Sequence, residues 1–468
     1  MEAVVEKRHK KKKVPFSGTK KIALSFAAVI FIGSILLSMP FANTLDVRPY
    51  IDNLYIAVSC VCVTGLTPFD VGAQYNLFGE IVMAILIQIG GLGLITFIYL
   101  ILYQMGSKMR MKTKMVFSEA LNADNAKTLP RLLKTIFFYT ALMEIVGAII
   151  LSTVFVPQYG YVRGIYFGIW HAISGFCNAG FDLLGSTSLI KYNVNPVINF
   201  VIPLLIITGG IGFRVVLDLY DTFNKERHHK SKFCFHRFVR QLHLHSKLVL
   251  VTTFILLISG TILFLAIEYK NMATIGRMTF GQKLAASFFQ STTTRTAGFS
   301  SVPMVELRPA TKIIMCILMF IGGSPASTAG GIKTVTFALV ILMLHSVYNG
   351  SEETYVFHRR IKKRIMLSAF SIFAISLTIC FTALILLTIT DPQFNTLNLA
   401  MEVFSAFGTV GLSADVTGGL SFAGKIIDIM LMYTGRIGPV SLMILFTRKA
   451  HSQVDKEIKY PDEDVIVG

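Results

Sequence analysis

Residues 405–415 read SAFGTVGLSAD. An apolar run, Leu397–Phe407, leads into the glycine at 411, and the same arrangement stands at three other places in the chain. These are CVTGLTPFD around Gly65, CNAGFD around Gly180 and RTAGFSS around Gly298, entered from Leu54–Val63, Ile165–Cys177 and Leu284–Ser291. The glycines are 115, 118 and 113 residues apart. Six residues before each comes a hydroxyl (Ser59, Ser174, Thr292, Ser405), and directly after each a large apolar residue (Leu66, Phe181, Phe299, Leu412). One such glycine would be an ordinary helix breaker. Four in register with matching flanks make a fourfold internal repeat.

The surroundings of the repeat are those of a membrane protein. The chain is 53% hydrophobic and only 15% charged, with a mean hydropathy of +0.63; a soluble protein carries about 25% charged residues. Eight apolar stretches, Ile22–Met39, Leu77–Tyr103, Thr135–Val156, Val197–Val216, Leu248–Ile267, Ile313–Leu344, Ile365–Ile389 and Ile426–Phe446, are each near or above the roughly 18–20 residues that span a bilayer. The first is not a cleaved signal, since seven more follow and no small-residue cleavage site closes it. With the amino terminus inside and one crossing per span, the inner segments hold 8, 7, 8, 5 and 4 Lys and Arg, 32 of the 44. The positive-inside rule then places both termini in the cytoplasm. Topology and contact with anionic membrane lipid account for the net charge of +18. Nucleic acid is not needed to explain it.

The four glycine segments are too short to cross and read as re-entrant helices, which membranes tolerate only where irregular backbone lines a cavity. A dehydrated monovalent cation needs several oxygens, and backbone carbonyls turned to one axis supply them. Glycine permits the positive φ that such a turn requires. The chain is thus expected to be an all-α membrane protein of four helix–pore helix–helix repeats around one central pore, with eight transmembrane spans. The repeats are set at 22–106, 107–220, 221–350 and 351–449, between a basic cytoplasmic tail, 1–21, and a cytoplasmic C-terminal tail, 450–468.

A second glycine series follows in each repeat: IGGLG at 89–93, TGGIG at 208–212, IGGSP at 321–325 and TGRIG at 434–438. Most of these glycines suit close helix packing. Two departures say more. Arg436 replaces Gly91, Gly210 and Gly323, and an arginine inside a span usually faces a water-filled interior; snorkelling, or a pair with Asp428, is the plainer alternative. The third repeat continues SPASTAGGIKT, 324–334, a polar stretch hard to keep helical that belongs beside water. It is no phosphate loop, because Ile332 separates Gly331 from Lys333 and no strand precedes it.

Other chemistries find little support. Cys60, Cys62, Cys177, Cys316 and Cys380 lie in apolar surroundings and Cys234 in a basic loop, without the pairing of a metal site or a disulfide framework. Glu144, His171 and His345 are scattered singly, so core or interface roles suit them and the chain is read as no enzyme. The cluster His228, His229, His236, His243 and His245 reads as a solvated, protein-facing loop before it reads as a metal site. No span carries arginine at every third position, and four parallel repeats are not the two inverted halves of an alternating-access carrier.

These motifs together resemble the Trk/Ktr/HKT superfamily of potassium transporters, and within it the bacterial KtrB/KtrD branch, from Phe26 to the ending KYPDEDVIVG. The longer TrkH branch has two extra spans before the position of Ile22; the basic run 7–13 has no reading of its own. The resemblance implies a channel-like fold that passes potassium inward down its electrochemical gradient across the bacterial plasma membrane. It makes Gly65, Gly180, Gly298 and Gly411 the selectivity filter. The ion-binding set expected from it is Thr64 and Gly65; Asn178, Ala179 and Gly180; Thr296, Ala297 and Gly298; and Thr409, Val410 and Gly411, with potassium the only metal bound. It makes Gly323, Ser324, Pro325, Ala326, Ser327, Thr328, Ala329, Gly330, Gly331 and Lys333 an intramembrane gating loop, with Arg436 the arginine beneath the filter. It further implies a homodimer on a ring of cytoplasmic nucleotide-binding regulatory subunits, with sodium as an activator and no covalently bound cofactor. The nearest rival is a sodium-permeable or poorly selective cation channel; some plant relatives admit sodium where the first filter glycine is serine, and Gly65 argues against that here.

Overall fold

The computed structural model describes residues 18–93, 129–185, 187–228, 234–351 and 353–438. The basic run 7–13, His229, the ends of the expected spans Leu77–Tyr103 and Ile426–Phe446, and the C-terminal tail lie outside the described residues. What is described is mostly helical. The one sheet among these residues is a small hairpin, Thr354–Val356 paired with Arg359–Ile361.

Each repeat contributes an outer helix, a shorter pore helix and an inner helix. In repeat 1 these are α1 (Gly18–Leu37), α2 (Tyr50–Cys62) and α3 (Leu77–Leu92). Repeat 2 supplies α4 (Leu129–Tyr159), α5 (Tyr161–Phe176) and α6 (Pro196–Gly210), followed by α7 (Phe213–Arg227). Repeat 3 has α8 (Leu244–Glu268), α9 (Phe280–Thr293) and an inner helix in two pieces, α10 (Pro309–Phe320) and α11 (Thr334–Tyr348). Repeat 4 has α12 (Lys363–Thr390), α13 (Thr396–Gly408) and α14 (Phe422–Ile437).

The inner helices start on local signals. Asn76, Asn195 and Ser421 turn side-chain oxygens onto the first free N–H groups of α3, α6 and α14, and α10 opens on Pro309. Their packing then sets the architecture. Each leans on the pore helix of the following repeat: α3 on α5, α6 on α9, α10 on α13, and α14 back on α2. The last contact closes a ring. Around it the apolar faces fuse into a large buried core that runs from Phe26 to Met432.

The structure corrects the expected spans. The apolar stretches Leu77–Tyr103, Val197–Val216 and Ile426–Phe446 each suggest one crossing, but the helices stop at Leu92, Gly210 and Ile437. Gly93, Gly212 and Gly438 follow at φ +80°, +97° and +92°. A left-handed glycine cannot continue an α-helix. Between α6 and α7 the chain turns by 91°. Apolar composition on both sides hid these breaks. Helix length alone marks only α4, α8 and α12 among the described residues as able to cross a membrane, with α6 and α7 a further one if taken together.

Candidate functional site

The pore helices bring the four glycine segments to one place. In each, the residue two before the glycine also has positive φ: Val63 at +57° with Gly65 at +94°, Asn178 at +60° with Gly180 at +71°, Thr296 at +67° with Gly298 at +79°, and Thr409 at +52° with Gly411 at +98°. The residue between, Thr64, Ala179, Ala297 or Val410, is not left-handed. Alternating handedness turns successive carbonyls toward the same side of a strand, the arrangement a row of cation ligands needs. For a non-glycine residue the left-handed form costs about 1–2 kcal/mol. Valine and threonine give no hint of it in the sequence; the only signal was their constant offset from the glycines.

The segments touch in cyclic order. A Cβ added to Gly65 would come 2.6 Å from Ala179 O; added to Gly180 it would press on Ala297 O, to Gly298 on Val410 O, and to Gly411 on Thr64 O. No side chain fits between neighbouring strands. The hydroxyls six residues upstream divide their work. Ser59 Oγ and Ser405 Oγ accept the N–H of Gly65 and Gly411, both at 3.0 Å. Ser174 instead donates to Phe181 O at 2.7 Å. Thr292 bonds back to Phe288 O, and its neighbour Thr293 takes the corresponding place on Phe299 O at 2.7 Å. The hydroxyl pattern is therefore not four equal braces.

On one side the ring opens into a vestibule of about 520 Å³ lined by all four glycines together with Asp70, Asp182 and Asp415. Among the described residues that lining holds no lysine or arginine, so its fixed charges favour cations over anions. These aspartates sit inside the glycine motifs quoted above, and the sequence reading passed over them.

On the other side the polar loop between α10 and α11 lies directly against the ring. Its backbone is fastened to repeat 2, with Ser324 N on Gly210 O (3.0 Å), Thr328 N on Gly209 O (3.3 Å) and Phe213 N on Ala326 O (2.9 Å). Gly331 N reaches Gly435 O in repeat 4 at 3.2 Å, and a Cβ on Gly330 would collide with Thr409 Oγ1. Thr328 Oγ1 donates toward Phe176 O and Asn178 Oδ1, each at 3.3 Å, and Asn178 Nδ2 donates to Thr296 Oγ1 at 3.3 Å. Pro325 O packs on Gly212, Ser327 Oγ donates to Ser324 O at 2.7 Å, Gly323 O accepts from Thr334 N, and Lys333 Nζ folds back onto Ala329 O at 2.7 Å.

Arg436 is the clamp. Its guanidinium donates to Thr328 O in the loop and to Gly90 O and Gly91 O in repeat 1, so one side chain ties repeats 1, 3 and 4 together. Asp428 is not its partner and instead accepts from Tyr55 OH at 3.0 Å. The second glycine series packs as expected: Gly90, Gly209 and Gly435 press on the carbonyls of Val61, Phe176 and Phe407, where any side chain would collide.

The remaining candidates stay outside this site. Glu144 accepts from Gln88 at 3.0 Å, His171 meets Phe167 O at 2.7 Å, and His345 meets Asn349 at 3.0 Å. The described cysteines are free thiols, and the described residues contain no group of three His, Cys, Asp or Glu fit for a metal. His243 lies 3.7 Å from Asp218 instead.

Comparison with known proteins agrees with this geometry. The family model described as TrkH, cation transport protein, matches residues 5–456. The Ktr system potassium uptake protein B of Bacillus subtilis is 40% identical over 97% of this chain and 98% of its own length. The potassium/sodium uptake protein NtpJ of Enterococcus hirae is 37% identical over 99% and 100%. The crystal structure of the potassium transporter TrkH from Vibrio parahaemolyticus superposes with a TM-score of 0.68 at 17% identity, over 94% of this chain and 86% of that one. A ring of four glycine strands, a loop beneath it and full-length similarity to these transporters lead to one conclusion: the chain belongs to the TrkH family of cation transport proteins.

Proposed function

We propose that this protein takes up potassium through the four-strand ring, driven by the membrane potential. Each strand offers carbonyls at Thr64 and Gly65, at Asn178, Ala179 and Gly180, at Thr296, Ala297 and Gly298, or at Thr409, Val410 and Gly411. The loop 323–331 with Lys333 and Arg436 is the gate. The observation that carries the reading is the matched pair of positive-φ residues in all four segments, closed by contacts in cyclic order. The cargo follows from relatives named for potassium uptake and similar over their whole length.

In this reading the vestibule faces outward, and both termini and the basic loops lie in the cytoplasm of a bacterial cell. The described inner segments hold no globular domain, so control comes from a separate cytoplasmic subunit that binds nucleotide. The Ktr system names of three relatives suit such a partner. Two copies of the chain sit on it as a homodimer, and sodium stimulates uptake. The test is growth and potassium uptake, with and without sodium, in a potassium-uptake-deficient bacterium expressing the chain. Uptake restored at low external potassium supports the proposal, and none from a well-expressed chain refutes it. A second reading, a sodium-permeable or poorly selective channel, is favoured by the relative named for potassium and sodium uptake. Sodium influx through the purified protein equal to potassium influx would decide for it.

A further inference from the structure

The four seams of the ring differ at one level. Eleven residues before Gly91, Gly323 and Arg436 stand Glu80, Lys312 and Lys425, and each is clasped to the pore helix of the next repeat. Tyr166 OH donates to Glu80 at 2.6 Å, Lys312 Nζ to Asn398 Oδ1 at 2.9 Å, and Lys425 Nζ pairs with Asp52 at 2.6 Å. At the fourth seam, α6 against α9, the equivalent residue is Asn199, eleven before Gly210. Its amide donates to Asn193 O at 2.6 Å, within its own repeat. Its Oδ1 is buried without a partner in a side chain only 5% exposed. The positions on α9 that would answer it are Leu284 and Ala285, which have nothing to donate.

In place of the clasp is a slot of about 840 Å³ between α4, α6 and α9, with Asn199 in its wall. Val146, Ile150, Phe200, Leu204, Leu284 and Phe288 make the rest of the lining almost wholly apolar. It extends from Pro196 to Thr208 along α6. That stretch of helix is about 18 Å long, close to the roughly 15 Å of hydrocarbon in one leaflet. An apolar slot of leaflet depth, with one unanswered acceptor near its vestibule end, matches an acyl chain joined to a head that carries a hydrogen-bond donor.

We propose that the seam between repeats 2 and 3 binds one membrane lipid of the vestibule-side leaflet, its acyl chain along α4, α6 and α9 and a head hydroxyl on Asn199 Oδ1. The lipid completes the seam that the protein leaves unclasped.

Native mass spectrometry of the purified protein tests this, with phosphatidylglycerol, which has free hydroxyls, and phosphatidylcholine, whose head has no donor. Wild-type protein should retain one phosphatidylglycerol per chain and hold phosphatidylcholine about 2–10-fold more weakly, the range expected for one hydrogen bond. A Cβ on Gly281 would meet nothing within 4 Å, so Gly281→Trp fills the slot without a clash at its root. It should abolish retention at unchanged melting temperature. Asn199→Leu should keep a lipid but lose the preference between heads. Unchanged retention by folded Gly281→Trp overturns the site, and equal retention of both lipids by wild type overturns the Asn199 contact. Loss of a dimer at constant lipid count would give the slot to a second copy of the chain, and so would overturn the lipid reading.

Discussion

A side chain at Gly298 has no room and the wrong backbone. Its φ is +79°, and an added Cβ would press on Val410 O and come 3.1 Å from Gly411 Cα. Gly298→Ser should therefore displace the third strand against the fourth. A strain of about 1–2 kcal/mol corresponds to roughly tenfold, and that is the expected loss in potassium preference over sodium, read from uptake affinity and sodium competition. Unchanged values would remove Gly298 from the filter. Arg436 acts by charge and by grip. Two unit charges about 6 Å apart at an effective dielectric near 20 repel by about 3 kcal/mol, roughly a hundredfold in rate when unscreened. Arg436→Gln keeps a donor but drops that charge, so flux through liposomes should rise, by up to that factor, with less effect on regulation. At this scale the glycines and the arginine were legible in the sequence because repetition exposed them, the arginine by breaking the pattern. The left-handed Val63, Thr296 and Thr409 were not, since tertiary packing imposes that backbone on residues with no preference for it; Asn178 alone is of a type that adopts it readily.

The element that decides flux in this account is the loop between α10 and α11. It bonds to repeat 2 through Gly209 and Gly210, to repeat 4 through Gly435, and to Arg436. Shortening 324–331 should raise potassium flux and weaken its dependence on the proposed regulatory subunit, with protein amount controlled. If neither this deletion nor Arg436→Gln exceeds the parent protein, and both are folded, the gate lies elsewhere. The position of the loop could be read from its polar, proline-broken composition. The breaks at Gly93, Gly212 and Gly438 could not be read from hydropathy, because the residues on both sides are apolar and only the fifth residue of each glycine motif marks the stop. The spacing of the hydroxyls likewise does not say what each one holds, and in repeat 3 it is Thr293, one residue after the member of the series, that donates to Phe299 O.

For the whole molecule, the ring depends on joining its two ends, and Lys425 with Asp52 does so between residues 373 apart. Lys425→Met leaves a largely buried carboxylate unpaired, which should cost about 3 kcal/mol and lower the melting temperature. Adding Asp52→Asn should recover part of the loss, the signature of a direct pair. At the vestibule, burial pushes the Asp182 carboxyl up to about 6, against hydrogen bonds that hold it down and with Asp70 adding to the rise. A raised carboxyl is neutral below that value and charged above it. Acidification from pH 7.5 to 5 should then remove a negative charge from the mouth and reduce uptake at low potassium, and Asp182→Asn should flatten the response. If the four strands bind the cation in common, thallium, a heavy surrogate for potassium, will lie between them. Anomalous diffraction from thallium-soaked crystals should place peaks on the axis of the ring, level with the carbonyls of Thr64, Ala179, Ala297 and Val410 and of the glycines that follow them. Transport-competent protein whose thallium lies elsewhere, with that axis empty, would contradict the account.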